Sequence, residues 1–249
     1  MSQENNSPDR VDVDIRLENS DKSPAKDEPA ENKVSTFRLV ATLAVAGALA
    51  GLLIVLVNLH TKPIIDKYKA EQLKLAVYEV LPGVERYDTF YLVNDELALA
   101  LPAGAKESEF KRVYIGRDST GQATGVAISR GESGFQDVIM VIFGYDPVNN
   151  TLSGMKILDS KETPGLGDKI FKDMDFVDQF FAGPETPLLG VKSGAGKGQP
   201  NEIDMITGAT ISSKAVIGII NHALEEWKPI LDKGIPEVPA DEASGEVAQ

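Results

Sequence analysis

Nineteen consecutive residues, Leu39 to Val57, carry no charge, and Thr42 is the one polar side chain among them. In lipid every backbone N–H and C=O must be satisfied within such a segment, which leaves a helix. At about 1.5 Å per residue the run reaches roughly 28 Å, the depth of a bilayer core. A cleaved leader is the rival reading. It needs a short lead and a small-residue exit, whereas here 38 residues precede the run and the exit reads Asn58-Leu59-His60-Thr61. An uncleaved transmembrane helix over 37–59 is expected. Its orientation is not set by charge. Lys22, Lys26, Lys33 and Arg38 precede the span, and Lys62, Lys67, Lys69 and Lys74 follow it, so the cation count is a tie. Gly47 and Gly51 give the span a small face, a common feature of membrane helices.

Charge and cysteine usage narrow what the rest can do. A formal charge of −13 excludes a nucleic-acid binder, which needs a basic face. Residues 1–34 carry five Lys/Arg against nine Asp/Glu, and 234–249 carry four acids and no base. Both ends, 1–36 and 234–249, are expected as solvated tails with too little apolar surface to order. With no cysteine in the chain, disulfides, thiolate metal sites and cysteine nucleophiles are excluded. His60 and His222 form no ligand-spaced pair, so no metal site is expected.

Between the tails, 60–233 reads as one α+β domain. Ile64–Leu81 has the pattern of a helix stopped by Pro82-Gly83. Thr89–Val93, Arg112–Asp118, Ala123–Arg130, Asp137–Tyr145 and Leu152–Leu158 are short alternating runs. Turn clusters at Asp118–Gly121 and Asp146–Asn150 join four of them, which predicts an antiparallel meander. Phe176, Phe180 and Phe181 share a face of a short helix. Lys192–Pro200 is Gly- and Lys-rich, but it lacks the Gly at Val191 and the Ser or Thr at Gly198 that a phosphate loop requires. It reads as a flexible hairpin. Ser213–Trp227 is an amphipathic helix with Val216, Ile220, Ala223, Leu224 and Trp227 on its buried stripe. In the N-terminal tail, Val11–Leu17 alternates as a strand would.

Directly before that last helix stands Asp204-Met205-Ile206-Thr207-Gly208-Ala209-Thr210-Ile211-Ser212. Gly208 and Ala209 let a bulky group approach the backbone and leave the Thr210 hydroxyl reachable. The helix start offers unpaired N–H groups to a phosphate, with Lys214 in the first turn. A plain Thr/Ser helix cap fits the same residues. A second stretch, Glu162-Thr163-Pro164-Gly165-Leu166-Gly167-Asp168-Lys169-Ile170, is a loop whose proline and glycines permit a tight path beside a planar ligand.

Together, in this order, the two stretches resemble the covalent FMN-binding domain family, and within it the RnfG branch found in Rnf ion-translocating electron-transport complexes. The C subunit of the sodium-translocating NADH:quinone reductase is a related branch. The resemblance runs from the membrane helix to about Leu231. It implies FMN esterified through its phosphate to Thr210 by a flavin transferase. Thr207, Gly208, Ala209, Ser212 and Lys214 are implied around the phosphate, and Glu162, Thr163, Pro164, Gly165, Leu166, Gly167 and Lys169 against the flavin. It also implies an inner-membrane protein with a cytoplasmic N-terminus and the FMN-binding domain outside. That protein would relay electrons among partner subunits in ion-coupled ferredoxin:NAD oxidoreduction. Ser160 stands where many relatives carry His. Two other classes stay open from the residues alone: a membrane-tethered scaffold without cofactor, and a flavin-bearing regulator of another reductase.

Overall fold

The computed structural model describes residues 35–236 and 246–247. The alternating segment Val11–Leu17 and most of both expected tails lie outside them. The first element, α1 (Thr36–Val80), is 45 residues long and passes through Pro63 without a break. The span and the membrane-exiting segment, expected as two pieces, are one helix. Its N-terminal stretch is unburied and is long and apolar enough to cross a membrane. The chain divides into two compact units, Met1–Val57 and Asn58–Gln249.

In the second unit β1 (Arg86–Val93), β2 (Glu96–Ala98), β3 (Arg112–Arg117), β4 (Ala123–Ser133), β5 (Val138–Asp146) and β6 (Thr151–Asp159) form one sheet in the order β2-β1-β3-β4-β5-β6. Every pairing in it is antiparallel. The meander follows from its turns. The Asp118 carboxylate accepts from the Thr120 and Gln122 amides at 2.8 and 3.0 Å, and Asp146 accepts from Val148 and Asn149 at 2.8 and 3.1 Å. Side-chain closures of this kind favour the turn conformation locally.

Alternation then sorts side chains to two faces. On one, Ala76, Val77, Val80 and Leu81 at the end of α1 pack on Tyr87, Tyr114, Ala127 and Ile142. On the other, Phe90, Val113, Ile115, Val126, Ile128, Val141 and Phe143 meet the last helix. Each buried Val, Leu, Ile or Phe among them contributes about 1.5–3 kcal/mol relative to exposure.

The chain beyond β6 covers this second face. Two single turns, α2 (Lys169–Lys172) and α3 (Met174–Val177), precede a 3-10 turn at Asp178–Phe180. Phe176 and Phe180 are buried and stack edge-on at 5.2 Å, while Phe181 lies over Gly154. The Gly/Lys-rich stretch is not a hairpin. The strands it joins, β7 (Leu189–Lys192) and β8 (Glu202–Met205), run parallel. The amides of Lys197, Gly198 and Gln199 all donate to the Glu202 carboxylate, at 2.6, 2.9 and 3.2 Å. Its phosphate-loop flavour thus has a physical basis, with the anion supplied by the chain itself.

The last helix, α4 (Thr210–Leu231), is 22 residues long and buries Val216, Ile220, Ala223, Leu224 and Trp227 as its pattern predicts. Past it, the Pro236 carbonyl accepts from Arg117, whose Nε also meets Asp88 at 2.6 Å in a buried pair. A short β9 (Glu246–Val247) pairs with Arg86 and Tyr87. Part of the expected C-terminal tail thus returns to the sheet.

Candidate functional site

The start of α4 is set by a buried serine rather than a capping hydroxyl. Ala209 holds the cap position and makes no side-chain bond there. The Ser213 Oγ instead donates to the Ala209 carbonyl at 2.9 Å and accepts from the Ile206 amide at 3.2 Å. Gly208, at φ +85°, completes the turn, and a Cβ there would meet nothing within 4 Å. The glycine is therefore required by backbone geometry, not by crowding. This turn leaves Thr210 exposed as the first residue of the helix, with its Oγ1 3.5 Å from the Ile206 carbonyl. The amides of the first helical turn have no partner in their own helix.

Opposite lies the loop 162–168. The Leu166 amide donates to the Thr163 carbonyl at 3.1 Å, and the Gly165 amide to the Asp168 carboxylate at 2.7 Å. The Lys172 ammonium bonds the second Asp168 oxygen at 2.6 Å. Lys172, then the Gly165 amide, hold the Asp168 carboxyl below the usual carboxylate range against the opposing effect of burial. Thr163 donates to Gln136 Oε1 at 2.7 Å, which ties the loop to the turn between β4 and β5.

Turn, loop and helix start enclose a pocket of about 310 Å³ lined by Phe135, Thr163, Leu166, Gly167 and 208–212. That volume falls within the range of small-molecule sites. Phe135, Leu166 and Ile211, one from each segment, are 66%, 54% and 57% exposed at its rim. Apolar side chains this open, around a largely apolar cleft, suit a flat aromatic ligand. The Thr210 hydroxyl and the free helix amides suit its phosphate. The residues present fit FMN.

The structure sorts the sequence-predicted site residues into four groups. Thr163, Leu166, Gly167, Gly208, Ala209, Thr210 and Ser212 line the pocket. Thr207 and Lys169 instead border a second, polar cavity of about 550 Å³ with Asp173, Asp175 and Asp204. Pro164, Gly165 and Lys214 are exposed away from the pocket wall. Glu162 lies behind the wall, 5% exposed, accepting from the Ser212 hydroxyl at 2.6 Å and the Gln136 amide at 2.9 Å. Burial would raise its carboxyl. The Ser212 hydroxyl and the amides of Gln136, Asp137 and Phe135 outweigh burial and hold it below its ordinary value. Phe135 and Ile211 are rim residues that sequence reasoning missed. Their signal was an aromatic beside Gly134 in a turn, and an isoleucine off the buried stripe of α4.

Comparison with known proteins places the chain in a family. The FMN-binding domain family matches residues 134–225, from the turn bearing Phe135 through most of α4. The G subunit of the Na(+)-translocating ferredoxin:NAD(+) oxidoreductase complex of Acetobacterium woodii is 31% identical over 193 residues, covering 77% of this chain and 91% of that protein. The G subunit of the ion-translocating oxidoreductase complex of Escherichia coli K12 is also 31% identical, over 73% of this chain and 86% of that protein. Among solved structures, Shewanella oneidensis NqrC shares the fold, with a TM-score of 0.55 at 17% identity over 68% of this chain and all of that one. The chain belongs to the G-subunit family of ion-translocating oxidoreductase complexes and carries its FMN-binding domain.

Proposed function

We propose that this chain is the membrane-anchored electron-relay component of an Rnf-type ferredoxin:NAD+ oxidoreductase complex that couples electron transfer to ion translocation. In this reading FMN is held by a phosphoester to Thr210. The observation that carries it is the placement of Thr210 as an exposed, uncapped helix-start residue at the lip of an apolar pocket. Bound FMN supplies the redox chemistry, and the protein supplies position and electrostatics.

In forming the ester, the Thr210 oxygen bonds to phosphorus, its proton leaves, and the group activating the donor phosphate departs. A flavin transferase supplies that donor. The first amides of α4 hold the phosphate charge, the Thr163–Gly167 loop and Phe135 flank the ring, and Leu166 and Ile211 exclude water from the rim. Without cysteine the chain offers no thiolate for an iron–sulfur cluster, so donor and acceptor centres belong to neighbouring subunits. The domain organisation is residues 1–36 in the cytoplasm, 37–59 across the inner membrane, and 60–233 with the 234–249 tail outside. Beyond the cytoplasm no nucleotide pool replaces a lost cofactor, so a covalent link removes dissociation as a failure.

The test is purification of the chain from cells with an active transferase, followed by a denaturing gel under ultraviolet light. A fluorescent band supports attachment, and a dark band contradicts it.

A further inference from the structure

A carboxylate that is almost fully buried is costly unless every oxygen is satisfied. Glu162 meets that demand with neutral donors alone among the described residues. The Ser212 hydroxyl binds Oε2 at 2.6 Å, and the Gln136 amide binds Oε1 at 2.9 Å. The neighbouring amides of Phe135 and Asp137 also favour its charged form. Two glycines make room for it. A Cβ at Gly134 would fall 2.5 Å from Oε1, and one at Gly167 would fall 2.5 Å from Oε2 and 3.0 Å from Ser212 Oγ.

These contacts come from three segments far apart in sequence: the β4–β5 turn, the 162–168 loop and the first turn of α4. Those three segments build the pocket. Phe135, Thr163, Gly167 and Ser212 each contribute to its wall while touching Glu162 or lying next to a residue that does. The carboxylate stands one layer behind the ligand surface.

We propose that Glu162 is the positioning residue of the flavin pocket. Its carboxylate fastens the three wall segments to one another, and it acts on bound flavin through Ser212, Gly167 and Phe135 rather than by touching it. The flavin part of this inference rests on the function proposed above; the fastening does not.

The experiment therefore uses two forms of the full-length, detergent-solubilised chain. In the flavin-free form, made in a Thr210→Val background, backbone hydrogen exchange is followed segment by segment. Ser212→Ala removes one donor to a charged acceptor. It should speed exchange about tenfold, the equivalent of about 1.4 kcal/mol, at 134–137 and 163–167, with 139–145 unchanged. In the flavin-loaded form with Thr210 intact, Ser212→Ala should keep the gel-stable fluorescence yet lose most of the flavin's visible circular dichroism, which reports a ring held in a fixed asymmetric site. Ser212→Thr, which keeps the hydroxyl, should preserve both readouts. Glu162→Gln removes the charge that both neighbouring segments bond and should exceed Ser212→Ala in both; if it does not fold, Ser212→Ala carries the test. Wild-type exchange in Ser212→Ala overturns the fastening, and a wild-type dichroism signal overturns its action on the flavin. A wild-type chain without covalent flavin overturns the attachment instead, and leaves the exchange result to decide the fastening.

Discussion

The Ser153 hydroxyl donates to the carbonyl of Val80 at 2.6 Å, joining β6 to the last turn of α1 directly above Gly144. This contact fixes where the long helix meets the sheet. A Cβ at Gly144 would overlap the Val80 oxygen and crowd Ser153. Gly144→Ala should therefore destabilise the domain by about 1–3 kcal/mol through overpacking. Ser153→Ala should cost nearer to 1 kcal/mol for the lost hydrogen bond. Urea titration of the two variants beside wild type measures both. Equal midpoints for Gly144→Ala and wild type would mean the helix end shifts freely on the sheet.

Acid should find Glu162. Its carboxyl is held below its ordinary value by Ser212 and the turn amides, despite burial. A carboxylate depressed in the folded state contributes stability that is complete above its unfolded value of about 4.3. That contribution is lost as pH falls through the lower folded value. Glu162→Gln should accordingly melt well below wild type at about pH 7, with the gap narrowing below the ordinary carboxylate range. Melting curves across that window check the sign. A gap that widened in acid would mean the carboxyl is protonated in the native fold.

The same charge should reach the flavin. Reduced flavin carries added negative charge, and a buried carboxylate behind the pocket wall disfavours it. Glu162→Gln should raise the flavin midpoint potential. Lys169, which borders the second cavity rather than the flavin pocket, should matter less when changed to Gln. A redox titration in which Lys169→Gln moved the potential more than Glu162→Gln would reverse this assignment.

The meander was legible because its signals are local: alternation within β3 to β6 and Asp-led turns whose carboxylates bond the amides that close them. The stripe of α4 was legible for the same reason. The resemblance places Glu162 against the flavin, whereas in the fold it lies behind the pocket wall, because its burial depends on Ser212, fifty residues away. Phe135 has no periodicity to mark it, and its role appears only once the turn meets the loop. The parallel pairing of β7 with β8 was hidden because the stretch between them looks like a mobile hairpin, while Glu202 organises it from beyond its end.

The proposed topology, with the domain outside the cytoplasm, is what attachment by an exported transferase requires. The chain has no cysteine, so single probes are unambiguous. Ser119→Cys, in the exposed β3–β4 turn, should react with an impermeant thiol reagent added to intact spheroplasts, and Ser7→Cys should not. The opposite labelling pattern would place the pocket in the cytoplasm.

The proposed ester at Thr210 is read out by peptide mass spectrometry of the flavin-loaded chain. The peptide containing Thr210 should gain the mass of one FMN less one water, with fragmentation placing the addition on Thr210. Thr210→Ala should abolish both this mass and the gel fluorescence while the domain melts within about 0.5 kcal/mol of the unloaded wild type, as expected for an exposed side chain. An unmodified Thr210 peptide in a chain that still fluoresces on the gel, or a fluorescent Thr210→Ala, would rule out Thr210 as the flavin's attachment point.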